Sequence, residues 1–500
     1  MEDSQSQSVD LLVVGGGING VGIARDAAGR GLSVMLCERG DLAGATSSAS
    51  SKLIHGGLRY LEHYEFGLVR KALHEREVLL RTAPHLVRPL SFVLPHGIAS
   101  RPAWMLRVGL FLYDRLGGRR RLPRSHGINL RSHPSGAPLR DEFSKGFVYA
   151  DCWADDSRLV VVSAVDAAAR GADIRTRTEV VDAAREDRQW RVALRDRRTG
   201  AETRVAAHAL VNAAGPWAAS LNAERLHLGG GRKLRLVKGS HIIVPRVSRT
   251  DDAYLLQHTD GRVVFVLPFE ERFSLIGTTE IELPRMPESV DISAEEILYL
   301  CEVVNRYFRK PLDAGDVLWS FAGVRPLVDD DDRNPSAVSR DFLIELDAPA
   351  GRAPLLSVLG GKLTTYRVLA EEAMHALRRF LPRHAGAWTD EAPLPGGDMQ
   401  GADFAAFLAQ LIEMRPWLPS NLARRLAHAY GTRIEHILGG AAGLDDLGTH
   451  YGDGVYEAEI GYLLRHEWLE TVDDLLWRRS KLGLVAALET VEALRGRLNG

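Results

Sequence analysis

Residues 10–24, DLLVVGGGINGVGIA, constrain the fold of this chain more than any other stretch. The apolar run VDLLVV ends on glycines. Gly15, Gly17 and Gly20 stand at GxGxxG spacing, and the helical pattern after them carries small residues at Gly22, Ala24 and Ala28. Gly15 permits a tight strand-to-helix turn, Gly17 lets backbone N–H groups approach a pyrophosphate, and Gly20 lets helix and strand pack closely. The helix N-terminus attracts the anion. A second apolar run, LSVMLCE, closes on Glu38, where a carboxylate can accept both ribose hydroxyls and repels a 2′-phosphate, so NADP is disfavoured. A lone GxGxxG fits an ordinary glycine turn equally well; strand, helix and terminal acid together specify a dinucleotide cradle. The fingerprint leaves NAD and FAD both open.

Five hundred residues exceed one hydrophobic core, so two or three domains are expected, with 45% apolar residues to fill them. The net charge of -2, from 63 basic and 65 acidic residues, gives no long-range field for gathering nucleic acid, so any anion must be held by local charges. Cys37, Cys152 and Cys301 match neither a disulfide framework nor a metal-ligand spacing, which suits a reducing, cytosolic interior. The opening MEDSQSQSVD lacks the basic and apolar regions of a secretory signal, and no stretch offers about 18 uninterrupted apolar residues. Membrane contact, if made, is expected to be peripheral.

No internal repeat or low-complexity tract interrupts the chain. Between 150 and 215, TEVVDAA, QWRVALRD and TRVAAHALVNAAG read as further strands of a mixed sheet. From 234 to 285, LRLVKGSHIIVP, RVVFVLPF and RFSLIGTTE read as neighbouring antiparallel strands, with a helix over 293–309 capped by Ser293 ahead of Glu295 and Glu296. PLLSVLGGKLTTYRVLAEEAMHALRRF repeats the grammar of strand, glycine turn and helix. The Pro/Gly-rich EAPLPGGDMQGAD then marks a boundary, after which the pattern is almost entirely helical.

Hydroxyls and exposed amides in ATSSASSKLIHGGLRY would suit a flavin, although an ordinary capped turn has the same composition. Taken with LVNAAGPW, KGSHI, GVRPL and GGKLTTYR, and with HEW and DDLLWRR near the C-terminus, it closely resembles the FAD-dependent glycerol-3-phosphate dehydrogenases, the aerobic bacterial type in particular, nearly end to end. The resemblance implies an α/β architecture: a glutathione-reductase-like, FAD-binding Rossmann domain with an antiparallel-sheet substrate cap and a helical C-terminal domain. The FAD domain is expected over 1–390, discontinuous, with the cap mainly over 75–145 and 230–325, and the helical domain over 391–500. Carried over motif by motif, Gly15, Gly17, Gly20 and Glu38 hold the ADP half of FAD, Ser47, Ser48 and Lys52 its middle, and Gly215 a returning glycine turn. Gly361, Leu363 and Thr364 lie near the flavin ring, where helix amides stabilise negative charge. The implied substrate is glycerol 3-phosphate, the product dihydroxyacetone phosphate and the acceptor a membrane quinone. The implied place is the cytoplasm, peripherally on the inner face of the membrane; a homodimer is expected.

Oxidising a secondary alcohol needs a base for the hydroxyl proton and cations to hold the phosphate in register. Arg59, Arg325 and Lys362, each in a separate glycine-flanked motif, are expected to converge as the phosphate pocket with Tyr60 beside them; a surface salt bridge is the alternative fate of each cation. His55 and His241 are the candidate bases. We assign the base to His241 and place His55 beside the flavin, a histidine packed on an apolar strand being the alternative.

RPAWMLRVGLFLYDRLGGRRR, over 101–121, reads either as a surface helix lying on an anionic bilayer near a quinone entrance or as a buried helix with a solvated basic end. Asp329 to Asp332 lack the alternation and glycine of a calcium loop and read as a solvated turn, so no metal is expected. Three other functions compete: an oxidase passing electrons from glycerol phosphate to oxygen, an amine or amino-acid oxidase, which needs a carboxylate clamp instead of a phosphate pocket, and a flavin-bearing nucleic-acid scaffold, which needs a basic face.

Overall fold

A computed structural model describes residues 7–97, 102–118, 121–229, 232–328 and 341–499. The expected acidic turn at 329–332, and Arg119 and Arg120 of the basic cluster, lie outside them. The N-terminal segment forms a strand, Gln7–Val14, a helix, Ile18–Gly29, and a second strand, Val34–Cys37. The first strand pairs in parallel with Val34–Cys37 on one side and Glu202–Asn212 on the other. Asp173–Arg175 extends the parallel sheet beyond Val34–Cys37, Leu355–Gly360 extends it beyond Glu202–Asn212, and antiparallel Phe342–Asp347 closes that edge. The expected strands Thr178–Glu186 and Gln189–Asp196 form an antiparallel hairpin that attaches through Glu202–Asn212.

Gly20 packs helix against turn as its spacing implies. A side chain at Gly20 would put its Cβ 1.9 Å from the Gly15 carbonyl oxygen, which no adjustment short of moving the helix would relieve. One at Gly22 would meet the Tyr366 ring at 2.8 Å, because the helix Tyr366–Leu377 lies against the first helix. These small residues bring two helices onto the parallel sheet over a core that includes Leu11, Val13, Ala24, Val211 and Leu369.

The second sheet orders its strands Ile281–Leu283, Leu234–Pro245, Phe273–Gly277, Val263–Phe269, Ala253–Gln257, Val87–His96, Lys145–Ala154 and Leu53–Ile54. Trp319–Val328 pairs along the outer side of Leu234–Pro245, and His126–Asn129 pairs with Lys145–Ala154. All contacts are antiparallel except the parallel step from Ala253–Gln257 to Val87–His96. The sheet therefore draws on 53–54, 146–154 and 326–328, outside the ranges expected for the cap, since the alternation at 145–154 does not reveal which sheet a strand will join. The helix Ala294–Tyr307 follows the capping box of Ser293 and Glu296 and covers one face.

From Phe404 onward the chain is helical apart from a small hairpin, His450–Gly452 with Val455–Tyr456. Its core of Leu422, Leu426, Tyr430, Leu463 and Leu475 is separate from that of the parallel sheet. A buried ion pair of Arg158 with Glu467 joins the two, and the Arg158 guanidinium also donates to the Ala429 carbonyl at 2.8 Å. Losing one partner would strand a charge in the interior, so this junction is more sensitive to truncation than a surface pair.

Candidate active site

A cavity of about 750 Å3 runs between the two sheets, from the glycine turn to the strands of the cap. Gly15, Gly17, Glu38, Ser47, Gly215, Gly361, Leu363 and Thr364 line it, as do His55, Tyr60, Arg325 and Lys362. The Glu38 carboxylate accepts 2.7 Å hydrogen bonds from the amides of Gly16 and Gly40. Burial pushes the Glu38 carboxyl upward and these amides oppose it. Ser47 Oγ accepts from the Ile18 amide at 3.0 Å at the start of the first helix, and Thr46 Oγ1 donates to the Val324 carbonyl at 2.7 Å. The hydroxyl-rich string thus ties the glycine turn to the strand that carries Arg325.

Gly20, Ser48 and Lys52 do not line the cavity. Gly20 is spent on helix packing, as its place in the fingerprint requires. Ser48 Oγ turns back to the Ala45 carbonyl at 3.1 Å. Lys52 is buried, with Nζ 2.8 Å from Asp156 and 3.1 Å from the Ser48 carbonyl, and burial pushes its pKa down against the pull of Asp156. Lysine and serine brace the loop from behind, a placement that their position in the motif does not disclose.

At the far end, Arg325 Nη2 donates to Thr278 Oγ1 at 3.0 Å, and Lys362 Nζ lies 3.7 Å from the centroid of the Tyr60 ring. Gly239 leaves room for this pair. Its Cβ would fall 2.5 Å from Arg325 Nη2 and 2.6 Å from Thr278 Oγ1. The His55 amide donates to Thr364 Oγ1 at 3.3 Å, joining the KLIHGG turn to the GGKLTT turn. Arg59 does not converge with the other cations: it turns outward to the Gly261 carbonyl at 2.9 Å.

His241 is 1% exposed and is absent from the cavity wall. Its Nε2 lies 2.9 Å from Ser51 Oγ, and its ring stacks on Phe321 at 4.9 Å between centroids. Burial, with Arg325 and Lys52 adding to it, pushes its pKa well below that of a free histidine. Of the two candidate bases, His55 lines the cavity that Arg325 and Lys362 also line, and His241 does not. Sequence reasoning missed Asn19, Thr278 and Ser51, all of which line the cavity. Asn19 occupies a variable position of the fingerprint, and Thr278 lies in RFSLIGTTE, where nothing in the spacing separates it from an ordinary strand end.

The helix Ala103–Leu116 buries only Leu110 and Tyr113. Trp104 is 66% exposed and Val108 and Phe111 51% each, so the buried-helix reading of this segment gives way to a surface helix with a bare apolar face. Arg115, Arg121 and Arg124 lie at its C-terminal end. The Tyr113 hydroxyl reaches inward, accepting from the Gly56 amide at 2.8 Å and donating to Asp151. Among the described residues no helix is long and apolar enough to cross a membrane.

The family described as FAD dependent oxidoreductase matches residues 10–367, and the C-terminal domain of alpha-glycerophosphate oxidase matches 387–498. The glycerol-3-phosphate dehydrogenase of Pseudomonas aeruginosa is 54% identical over 95% of this chain and 92% of its own length. The D-erythritol 1-phosphate dehydrogenase of Brucella abortus is 51% identical over 96% of this chain and 95% of its own. The aerobic glycerol-3-phosphate dehydrogenase of Escherichia coli is 50% identical over 96% and 95%. Among solved structures, the glycerol-3-phosphate dehydrogenase of Bacillus halodurans complexed with FAD superposes with a TM-score of 0.76 at 30% identity, over 96% of this chain and 87% of that one.

Proposed function

The chain belongs to the FAD-dependent glycerol-3-phosphate dehydrogenases, and from that premise we propose that it oxidises sn-glycerol 3-phosphate to dihydroxyacetone phosphate and passes the electrons to a membrane quinone. The observation that carries the substrate reading is that Arg325, Lys362 and His55, two cations and a proton acceptor drawn from three distant motifs, all line the same cavity.

The residues present fit FAD. Glycines at 15 and 17 leave room for backbone approach, Glu38 stands where a ribose would bind, and Asn19 Oδ1 has no hydrogen-bond partner among the described residues. Gly15, Gly17, Glu38 and Ser47 would hold its nucleotide part, and Gly361, Leu363 and Thr364 its ring. When bound, FAD supplies the two-electron oxidant that accepts the hydride from the substrate carbinol. The protein does the rest. Arg325 and Lys362 fix the phosphate dianion, the arginine through its fork and the lysine as a point charge. His55 takes the hydroxyl proton as the carbonyl forms. His241 orients Ser51, and through it the wall, without itself touching substrate. The Tyr60 ring holds the lysine ammonium in place by cation–π attraction.

The bare apolar face of Ala103–Leu116 with arginines at its end supports peripheral attachment to an anionic bilayer, from which a quinone is drawn. The test of the whole reading is the visible spectrum of the purified protein and its bleaching by glycerol 3-phosphate without oxygen. No flavin spectrum, or a flavin that the substrate leaves oxidised, would overturn it. The Brucella relative favours a second substrate, D-erythritol 1-phosphate, which has the same phosphate and secondary alcohol on a longer chain. Faster bleaching by the tetritol phosphate than by glycerol 3-phosphate would make that the preferred substrate. Oxygen uptake at the rate of quinone reduction would assign an oxidase instead.

A further inference from the structure

The wall of the cofactor cavity is not made by the FAD domain alone. Thr471, Asp473, Asp474 and Arg478, all from the helical C-terminal domain, line the same cavity at the end where Glu38, Arg39 and Arg177 stand. They belong to, or immediately precede, the π-helix Asp474–Arg479, a wide turn that sets successive side chains onto two neighbours at once.

Four contacts fasten that turn. Arg479 is fully buried and donates to both oxygens of Asp41 at 2.6 and 2.8 Å; Arg478 binds the same carboxylate. Asp41 follows Glu38 closely in the loop whose Ala43 amide returns to the Gly16 carbonyl at 3.1 Å, so these arginines grip the glycine cradle itself. Arg177 of the FAD domain donates to both oxygens of Asp474 at 2.9 and 2.8 Å. Its other terminal nitrogen, Nη1, is buried, makes no hydrogen bond among the described residues and lies 3.8 Å from Asp41 Oδ1, so this guanidinium faces both carboxylates of the junction. Trp477 stacks on Trp319 at 4.2 Å between centroids, reaching the strand that bears Arg325.

We propose that residues 471–479 are a cofactor clasp: the C-terminal domain completes the nucleotide end of the FAD site, and its docking and FAD retention are one coupled equilibrium. The inference rests on the FAD reading above. Nucleotide binding positions residues of both domains, so FAD favours docking by the same factor by which docking favours FAD. The arginine and carboxylate groups of the clasp present donors and acceptors suited to ribose hydroxyls and a diphosphate.

Two measurements on the full-length protein decide this. The first is the FAD dissociation constant, from flavin fluorescence on dilution, of the parent and of Arg478→Ala and Asp474→Asn. Both variants should bind FAD at least about tenfold more weakly. The second needs no substitution: hydrogen exchange of the parent with and without FAD, read at helix Ser420–Tyr430, which lines no part of the cavity. Slower exchange there with FAD is expected. FAD affinities within twofold of the parent, or exchange in that helix indifferent to FAD, would overturn the clasp while leaving a flavin-bearing, substrate-bleachable parent intact. A parent with no flavin spectrum would overturn the clasp and the function together.

Discussion

His241 Nε2 stands 2.9 Å from Ser51 Oγ, and that hydroxyl separates the buried histidine from the cavity. The two histidines of the candidate site should therefore respond differently to removal. His55→Ala is expected to lower kcat by roughly 10²- to 10⁴-fold near neutral pH, the usual worth of a positioned general base. His241→Ala should cost less in kcat and more in stability, because it leaves a cavity beside Phe321 and frees the Ser51 hydroxyl. Steady-state rates and melting temperatures of both variants check this; a loss of kcat at His241 as large as at His55 would return the base to His241.

Arg325, on the strand Trp319–Val328, and Lys362, in the turn after Leu355–Gly360, are the proposed phosphate ligands and have different geometries. Arg325→Ala is expected to raise KM for glycerol 3-phosphate by about ten- to a hundredfold, the range for losing a charge-assisted hydrogen bond of 1.5–3 kcal/mol. Arg325→Lys should recover only part of this, since a point charge does not reproduce the fork that Thr278 Oγ1 holds at 3.0 Å. Inorganic phosphate should lose its competitive inhibition in step. Unchanged KM in Arg325→Ala would remove this residue from the pocket.

The junction between the FAD domain and the helical domain holds a pH dependence. His85 is fully buried, both ring nitrogens lack hydrogen-bond partners among the described residues, and its carbonyl accepts from His428 Nδ1 at 3.3 Å. Burial, with Arg158 and His428 nearby, pushes His85 down to about 3; burial, with Arg88, pushes His428 down to about 4. The unfolded chain takes up these protons near pH 6.5 while the folded chain still refuses them, so stability is lost as pH falls from about 6.5 toward those values. At pH 5 the loss is about 2 kcal/mol for each histidine. Melting temperatures at pH 7 and 5 should show the fall in the parent and a shallower one in His85→Leu; parallel curves would locate the acid sensitivity elsewhere.

What sequence made legible was local. The glycine turn, the acid at Glu38 and the GGKLTT turn declare themselves because each needs particular residues at adjoining positions, and all reach the cavity. The antiparallel strands between 234 and 283 were readable from alternation and turn residues. That His241 lies off the cavity wall was not readable, because a strand position does not say which face is sealed: it pairs opposite Phe321, and that register is set by a strand some eighty positions later. Arg59, Lys52 and Ser48 shared motifs with residues that do line the cavity, and only tertiary packing sorts them. The clasp was less legible still. DDLLWRR was recognisable as a motif, yet Asp41 and Arg479 meet across 438 positions of sequence, and no periodicity reports such a contact.

The surface helix Ala103–Leu116 yields the last prediction. Trp104, Val108 and Phe111 make no core contact that their exposure would allow to matter for folding, so polar replacements there should leave the melting temperature nearly unchanged. Burying the same side chains in a bilayer interface is worth about 1.5–3 kcal/mol each. Trp104→Ser with Phe111→Ser should therefore reduce binding to vesicles containing anionic lipid by well over tenfold in flotation, while bleaching of the flavin by glycerol 3-phosphate proceeds at the parent rate because neither residue lines the cavity. Reduction of a membrane-embedded quinone should fall with the binding, and that of a soluble dye should not. The inward side of the helix sets the limit on such substitutions: Tyr113 holds the Gly56 amide next to His55, so Tyr113→Phe is expected to slow flavin reduction even in the absence of lipid. Undiminished flotation of the double variant would show that this face serves some contact other than a membrane.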